Sequence, residues 1–183
     1  MSLECALWLL CYTILEVMQD TAPIAGQAPR FAADRMLMRL ARWLRLMGAD
    51  VVCDPALSGA ELLRLAREQG RPLLTRDKRL RTAPDALYIE SHLFRDQVGE
   101  VMKRYPFDPR RLAFTRCSYC NQTLKQVPRD AVVRSVPPFI YAAHDKFAVC
   151  AQCNRVYWDA SHVERAMREI DALTPDQSKH TAT

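Results

Sequence analysis

The sequence predicts an α/β protein: a mostly parallel sheet flanked by helices, then a small C-terminal zinc ribbon and a terminal helix. Three observations predict it. From Arg30 onward, short apolar runs alternate with segments of helical apolar spacing, the order that builds parallel sheets. Two Cys-x-x-Cys pairs, Cys117/Cys120 and Cys150/Cys153, stand in the second half. Between these regions Pro106 and Pro109 mark a change of character.

The elements follow in order. Cys5 to Leu15 is an almost unbroken apolar run, too short for the ~20 residues that cross a bilayer. Leu7, Leu10, Cys11, Ile14, Leu15 and Met18 repeat at helical spacing, so a packed or docked helix is expected there. Glu4 precedes the run and the first basic residue is Arg30, which counts against the alternative of a signal peptide. Thr21 to Pro29 reads as a linker.

Arg30 to Ala33 is a short strand ending at Asp34. Met36, Leu37, Leu40, Trp43, Leu44 and Met47 trace one face of a helix, and Gly48 stands where a glycine stop belongs. Asp50 to Cys53 is a second strand. Ser58 and Glu61 form a capping box opening a helix with Leu62, Leu63, Leu65 and Ala66 on its apolar face, closed by Gly70. Pro72 to Thr75 is a third strand ending at Asp77, and Ala86 to Glu90 a fourth. His92 to Tyr105 reads as a helix.

Beyond the prolines, strand-like pieces are expected at Val132–Val133, Phe139–Tyr141 and Val156–Trp158, with little helix between them. Ser161 and Glu164 make a second capping box opening a helix to about Leu173. The expected units are residues 1–29 (helix and linker), 30–112 (α/β domain), 113–173 (ribbon and terminal helix) and a polar tail, 174–183.

Composition sets the outer limits. The 183 residues are 49% hydrophobic, enough for one domain of about 100 residues plus a small module. The net charge of +5 permits a nucleic-acid partner without requiring one. The 7 cysteines are odd in number and four of them are paired, which reads as metal in a reducing compartment, and so a cytoplasmic protein. No segment is long enough to span a membrane.

Each Cys-x-x-Cys pair lets one tight turn aim two thiolates at a tetrahedral ion, and two such turns complete the four ligands of a structural Zn²⁺. His144 lies between the pairs, but four thiolates already fill the shell. The acids Asp34, Asp77, Glu61 and, less directly, Asp54 or Asp96 are candidates for a Mg²⁺ or Mn²⁺ site, because such ions take a few carboxylates and keep waters. Two plainer readings stand beside this: Asp34 as a helix cap and Asp77 as the start of a turn. Position favours the metal, since both acids lie past strand ends of one inferred sheet, where ligands bind. Arg35, Arg39 and Arg42 form one stripe on the helix after Asp34. The stripe is either a solvated face or a grip on phosphates.

The runs Arg30 to Gly48, Glu61 to Ala66 and Arg71 to Asp77 resemble the Mut-7 C-terminal RNase domain family. So do the two knuckles, with Arg116 and Asn121 around the first and Tyr157, Trp158, Ser161 and His162 after the second. The resemblance covers about Phe31 to Leu173. It implies a PIN-like nuclease fold fused to a zinc ribbon and metal-dependent cleavage of RNA. Asp34 and Asp77 carry over as metal carboxylates, Glu61 and Asp96 as further acids of the catalytic site. Gly59 and Ala60 interrupt the acidic cluster that relatives often show before this Leu-Leu pair. His162 carries over as a contact to RNA or as a packing residue. The expectation is a cytoplasmic ribonuclease using Mg²⁺ or Mn²⁺, with structural Zn²⁺ and RNA as partner. The rivals are a non-catalytic RNA-binding module and a protein-interaction adaptor built on the ribbon.

Overall fold

The computed structural model describes residues 28–158 and 167–172. The expected N-terminal helix, the Ser161–Glu164 capping box and the polar tail lie outside the described residues.

The first half alternates strand and helix. Strand β1 (Arg30–Ala33) leads through a 3-10 turn (Arg35–Leu37) into helix α1 (Met38–Leu46), then β2 (Asp50–Val52) and α2 (Gly59–Glu68). Strand β3 (Leu73–Thr75), a second 3-10 turn (Lys78–Leu80), β4 (Ala86–Tyr88) and α3 (Phe94–Arg104) follow. The four strands are parallel, in the order β2-β1-β3-β4. Period-two alternation sends β1 side chains to two cores. Phe31 and Ala33 join Leu37, Leu40 and Leu44 of the α1 segment and Val98, Val101 and Met102 of α3 on one face. Ala32 joins Leu73 and Leu62 and Ala66 of α2 on the other. Leu40 and Leu44 are fully buried, each contributing about 2 kcal/mol of transfer free energy.

The caps set the helix ends. Ser58 and Glu61 form the expected capping box at α2. Gly48 has φ +94°, and a Cβ there would collide with the backbone of Leu112. A glycine therefore lets helix α4 (Pro109–Leu112) close onto the end of α1, where the Phe114 N–H donates to the Leu46 carbonyl at 2.9 Å.

The second half holds an antiparallel sheet of β5 (Lys125–Val127), β6 (Phe147–Val149) and β7 (Val156–Trp158), in the order β5-β6-β7. Two expected strand pieces are corrected. Residues 132–133 close a 3-10 turn, Arg129–Val132, after Pro128, and 139–141 lie in helix α5 (Pro138–Ala143). Pro138 stands at the first helical positions, where its fixed φ suits a helix and its missing N–H costs nothing. Strands β5 and β6 escaped the sequence reading. They are three residues each, and their partners, not their own pattern, define them.

The two sheets are tied together at β2, an edge strand. The buried Arg45 of α1 donates to the Val51 carbonyl at 2.9 and 2.8 Å, and to the carbonyls of Ser118 and Tyr119 at 3.1 and 2.7 Å. Asn121 accepts from the Val51 N–H at 3.0 Å and donates to Asp50 at 2.7 Å. Asp50 also pairs with the buried Arg71 at 2.9 Å. The helical residues 167–172 return to the first sheet, where Ile170 is part of the core.

Candidate metal centre and acidic crevice

The four thiols come together. The Sγ atoms of Cys117, Cys120, Cys150 and Cys153 all lie within 4.8 Å of one another. Each knuckle is built by the same backbone device. Asn121 N–H donates to the Cys117 carbonyl at 2.9 Å and Asn154 N–H to the Cys150 carbonyl at 2.8 Å. Both asparagines take positive φ, 65° and 57°, which closes the turn so that its two cysteines aim at one point. The Cys120 N–H points at the Cys117 Sγ at 3.3 Å.

Crowding splits the thiols. Hydrogen bonding from Cys153 and burial push Cys120 up to about 12. Burial also opposes ionisation of Cys153, but hydrogen bonds from Arg155 outweigh it and bring that thiol to about 6. A soft divalent ion relieves the crowding by taking all four as thiolates. The donor set and its closeness fit Zn²⁺. His144, half-buried after α5, is not part of this group.

The second centre lies at the carboxyl edge of the parallel sheet. Chain order runs from β1 outward to β2, then back across to β3, so the strand order reverses between β1 and β3. Helices α1 and α2 consequently pack on opposite faces, and such a reversal is the place where open α/β sheets bind ligands. Asp34 ends β1 and Asp77 follows β3. Thr75 joins them: its hydroxyl donates to Asp34 Oδ2 at 2.6 Å and accepts from the Asp77 N–H at 3.0 Å. The Arg76 N–H adds a bond to the same Asp34 oxygen at 2.7 Å, and the Met36 N–H binds Oδ1 at 2.8 Å. Asp34 thus caps the turn before α1, as one of the two sequence readings held, yet a carboxylate has about four acceptor sites and only three are used.

Asp77 caps its own 3-10 turn and holds Arg79 by both oxygens, at 3.0 Å to Nε and 2.7 Å to Nη2. The guanidinium and the N–H of Arg79 keep this carboxyl well down, to about 2. Arg79 is 86% exposed, and a pair of this kind opens at small cost. Helix α2 begins beside it: a Cβ on Gly59 would lie 3.4 Å from Asp77 Oδ2. Glu61, three residues into that helix region, is occupied with Ser58, whose hydroxyl and N–H bind it at 2.6 and 2.8 Å and lower its carboxyl. Asp96 accepts from the Ser91 hydroxyl at 2.9 Å beyond β4. Among the described residues no three acids share one ligand point; the cysteines alone do.

The structure therefore binds the Asp34 carboxylate to Thr75 and the Arg76 N–H, holds the Asp77 carboxylate on Arg79, and sets Glu61 and Asp96 in hydrogen bonds of their own. Hard oxygens of Asp34, Asp77 and Thr75 suit Mg²⁺ or Mn²⁺, which binds through one or two carboxylates and waters. Arg35, Arg39 and Arg42 are exposed on the turn and helix that start at Asp34. His162 lies outside the described residues. Thr75 and Arg45 were missed as contributors. The Thr-Arg-Asp ending of β3 carried a signal for the first; nothing local could reveal the second.

The family model for the Mut7-C RNAse domain matches residues 29–170. No curated protein matches the chain.

Proposed function

The chain belongs to the Mut7-C RNAse domain family, and from that premise we propose that it is a metal-dependent ribonuclease acting at the carboxyl edge of its parallel sheet. The family supplies nuclease activity and RNA as substrate. The observation that supports the finer reading is Thr75, whose hydroxyl binds the Asp34 carboxylate across the point where strand order reverses and accepts from the backbone N–H of Asp77. A Mg²⁺ or Mn²⁺ ion there would lower the pKa of a water and neutralise phosphate charge. Asp34 keeps its orientation through three donors, so it is aimed before substrate arrives. Asp77 exchanges Arg79 for the ion. Glu61 and Asp96 serve as further acids only after releasing Ser58 and Ser91. Arg35, Arg39 and Arg42 hold the backbone of the RNA, and His162 stands as a further contact. Zn²⁺ on the four cysteines is structural.

The engagement of Glu61 with Ser58 and of Asp96 with Ser91 favours a second reading, an RNA-binding module without cleavage. One assay separates the two. Labelled RNAs are incubated with zinc-loaded protein and Mg²⁺, Mn²⁺ or no added divalent ion. On the nuclease reading the wild type cuts with Mn²⁺, Asp34→Asn and Asp77→Asn each lose cleavage at least a hundredfold, and RNA affinity stays within about twofold. Glu61→Gln is impaired less. Equal cutting by both Asn variants would move the site elsewhere; binding without cutting by the wild type selects the module.

A further inference from the structure

Resting on the ribonuclease reading, we infer that α1 and the first zinc knuckle form a binding track for single-stranded RNA, with Tyr119 as a stacking residue. A merely solvated basic face needs no aromatic neighbours for its arginines. This face has them. Arg39 lies over the Phe94 ring at 4.6 Å, and Phe94 packs against Trp43 at 5.4 Å. One turn further, Arg42 lies 4.8 Å from the centroid of Tyr119, which also carries Arg155 at 3.8 Å. A groove of about 380 Å³ runs between α1 and the knuckle, lined by Arg39, Arg42, Trp43 and Tyr119 among others, with no acid. That volume is within the range of small-ligand sites. Large apolar side chains are exposed in the same elements: Met36 in the turn before α1 is 65% exposed, Leu93 before Phe94 is 68%, and Tyr119 of the knuckle is 50%.

Guanidinium groups interleaved with rings are the chemistry that holds an unpaired strand. Cations take the phosphates, and rings or apolar side chains take the base faces. A duplex hides those faces. The track starts at Met36, two residues past Asp34, and ends at the knuckle. The nine residues of α1 span about 14 Å, room for about four stacked nucleotides at 3.4 Å each.

The test is fluorescence anisotropy with zinc-loaded protein, without added Mg²⁺ or Mn²⁺, using a 12-nucleotide oligouridylate and a blunt hairpin duplex. The single strand should bind at least tenfold tighter. Tyr119→Ala should weaken it about tenfold, with zinc content unchanged, while Tyr119→Phe stays near wild type. Oligomers shorter than about four nucleotides should bind markedly less well. Equal affinity for strand and duplex, or an Ala variant that binds as the wild type does, overturns the track. If Tyr119→Ala loses single-strand affinity while the wild type cuts nothing, the track stands and the nuclease reading falls. If the wild type cuts and Tyr119 is indifferent, the reverse holds.

Discussion

Asp50 shows what one side chain contributes when several partners meet at it. Burial alone would raise its carboxyl, but hydrogen bonds from Arg71 and Asn121, with the charges of Arg71 and Arg116, lower it. Its folded value is thus below the unfolded one, so its stabilisation is complete above the unfolded value of about 4 and is lost as pH falls below it. Arg71 is 8% exposed and cannot easily find water when its partner goes. Asp50→Asn should therefore cost about 2 kcal/mol at pH 7. The gap should narrow when denaturant unfolding is repeated near pH 3. A constant difference across that range would show that the charge contributes nothing. Asp50 attracted attention in the sequence only as the first residue of a strand, because its partners lie 21 and 71 positions away. Asp34 and Asp77 were legible for the opposite reason: a strand end is a local feature, and in parallel strands such ends share one edge.

Element by element, the sequence was clearest where the signal was periodic or capped. Helix α1 has its apolar stripe and Gly48, α2 has Ser58 with Glu61, and each parallel strand is a short apolar run between them. The ribbon was legible through its cysteines and not through its strands. Three-residue strands such as Lys125–Val127 lack a period, and the apolar Phe139–Tyr141, expected as a strand piece, lies in a helix that starts at Pro138. The ribbon's folding should depend on an ion held by the four cysteines, since structural Zn²⁺ in small domains contributes on the order of 10 kcal/mol. The α1 element reaches into that dependence. Arg45 binds the carbonyls of Ser118 and Tyr119 within the first knuckle and of Val51 in β2. Arg45→Met leaves these carbonyls short of donors and should cost roughly 3 kcal/mol. It should also speed zinc transfer to a chromogenic chelator severalfold, relative to the wild type. An unchanged rate would mean that the knuckle holds its ion independently of α1.

Over the whole molecule, the edge that carries Asp34 is a product of topology. Reversal of strand order between β1 and β3 sends α1 and α2 to opposite faces, and the pairing of β1 with β3 sets Asp34 beside Thr75. The sequence could list the acids at the strand ends; which strands are neighbours emerges only once all four pair, and with it the separation of Glu61 and Asp96. The same pairing leaves β2 at the border of the sheet. Its outward groups at Val51 are met by Asn121 and Arg45, both held by the zinc knuckle. An uncovered border strand is a template for a second chain. Removing zinc should thus do more than unfold a ribbon: it should uncover β2 and make the protein aggregate. Light scattering after chelation should rise with protein concentration and fall when zinc is restored early, and a clear, monomeric solution would count against it. On the first outcome the ion would be a guard against misassembly as well as a staple of the fold.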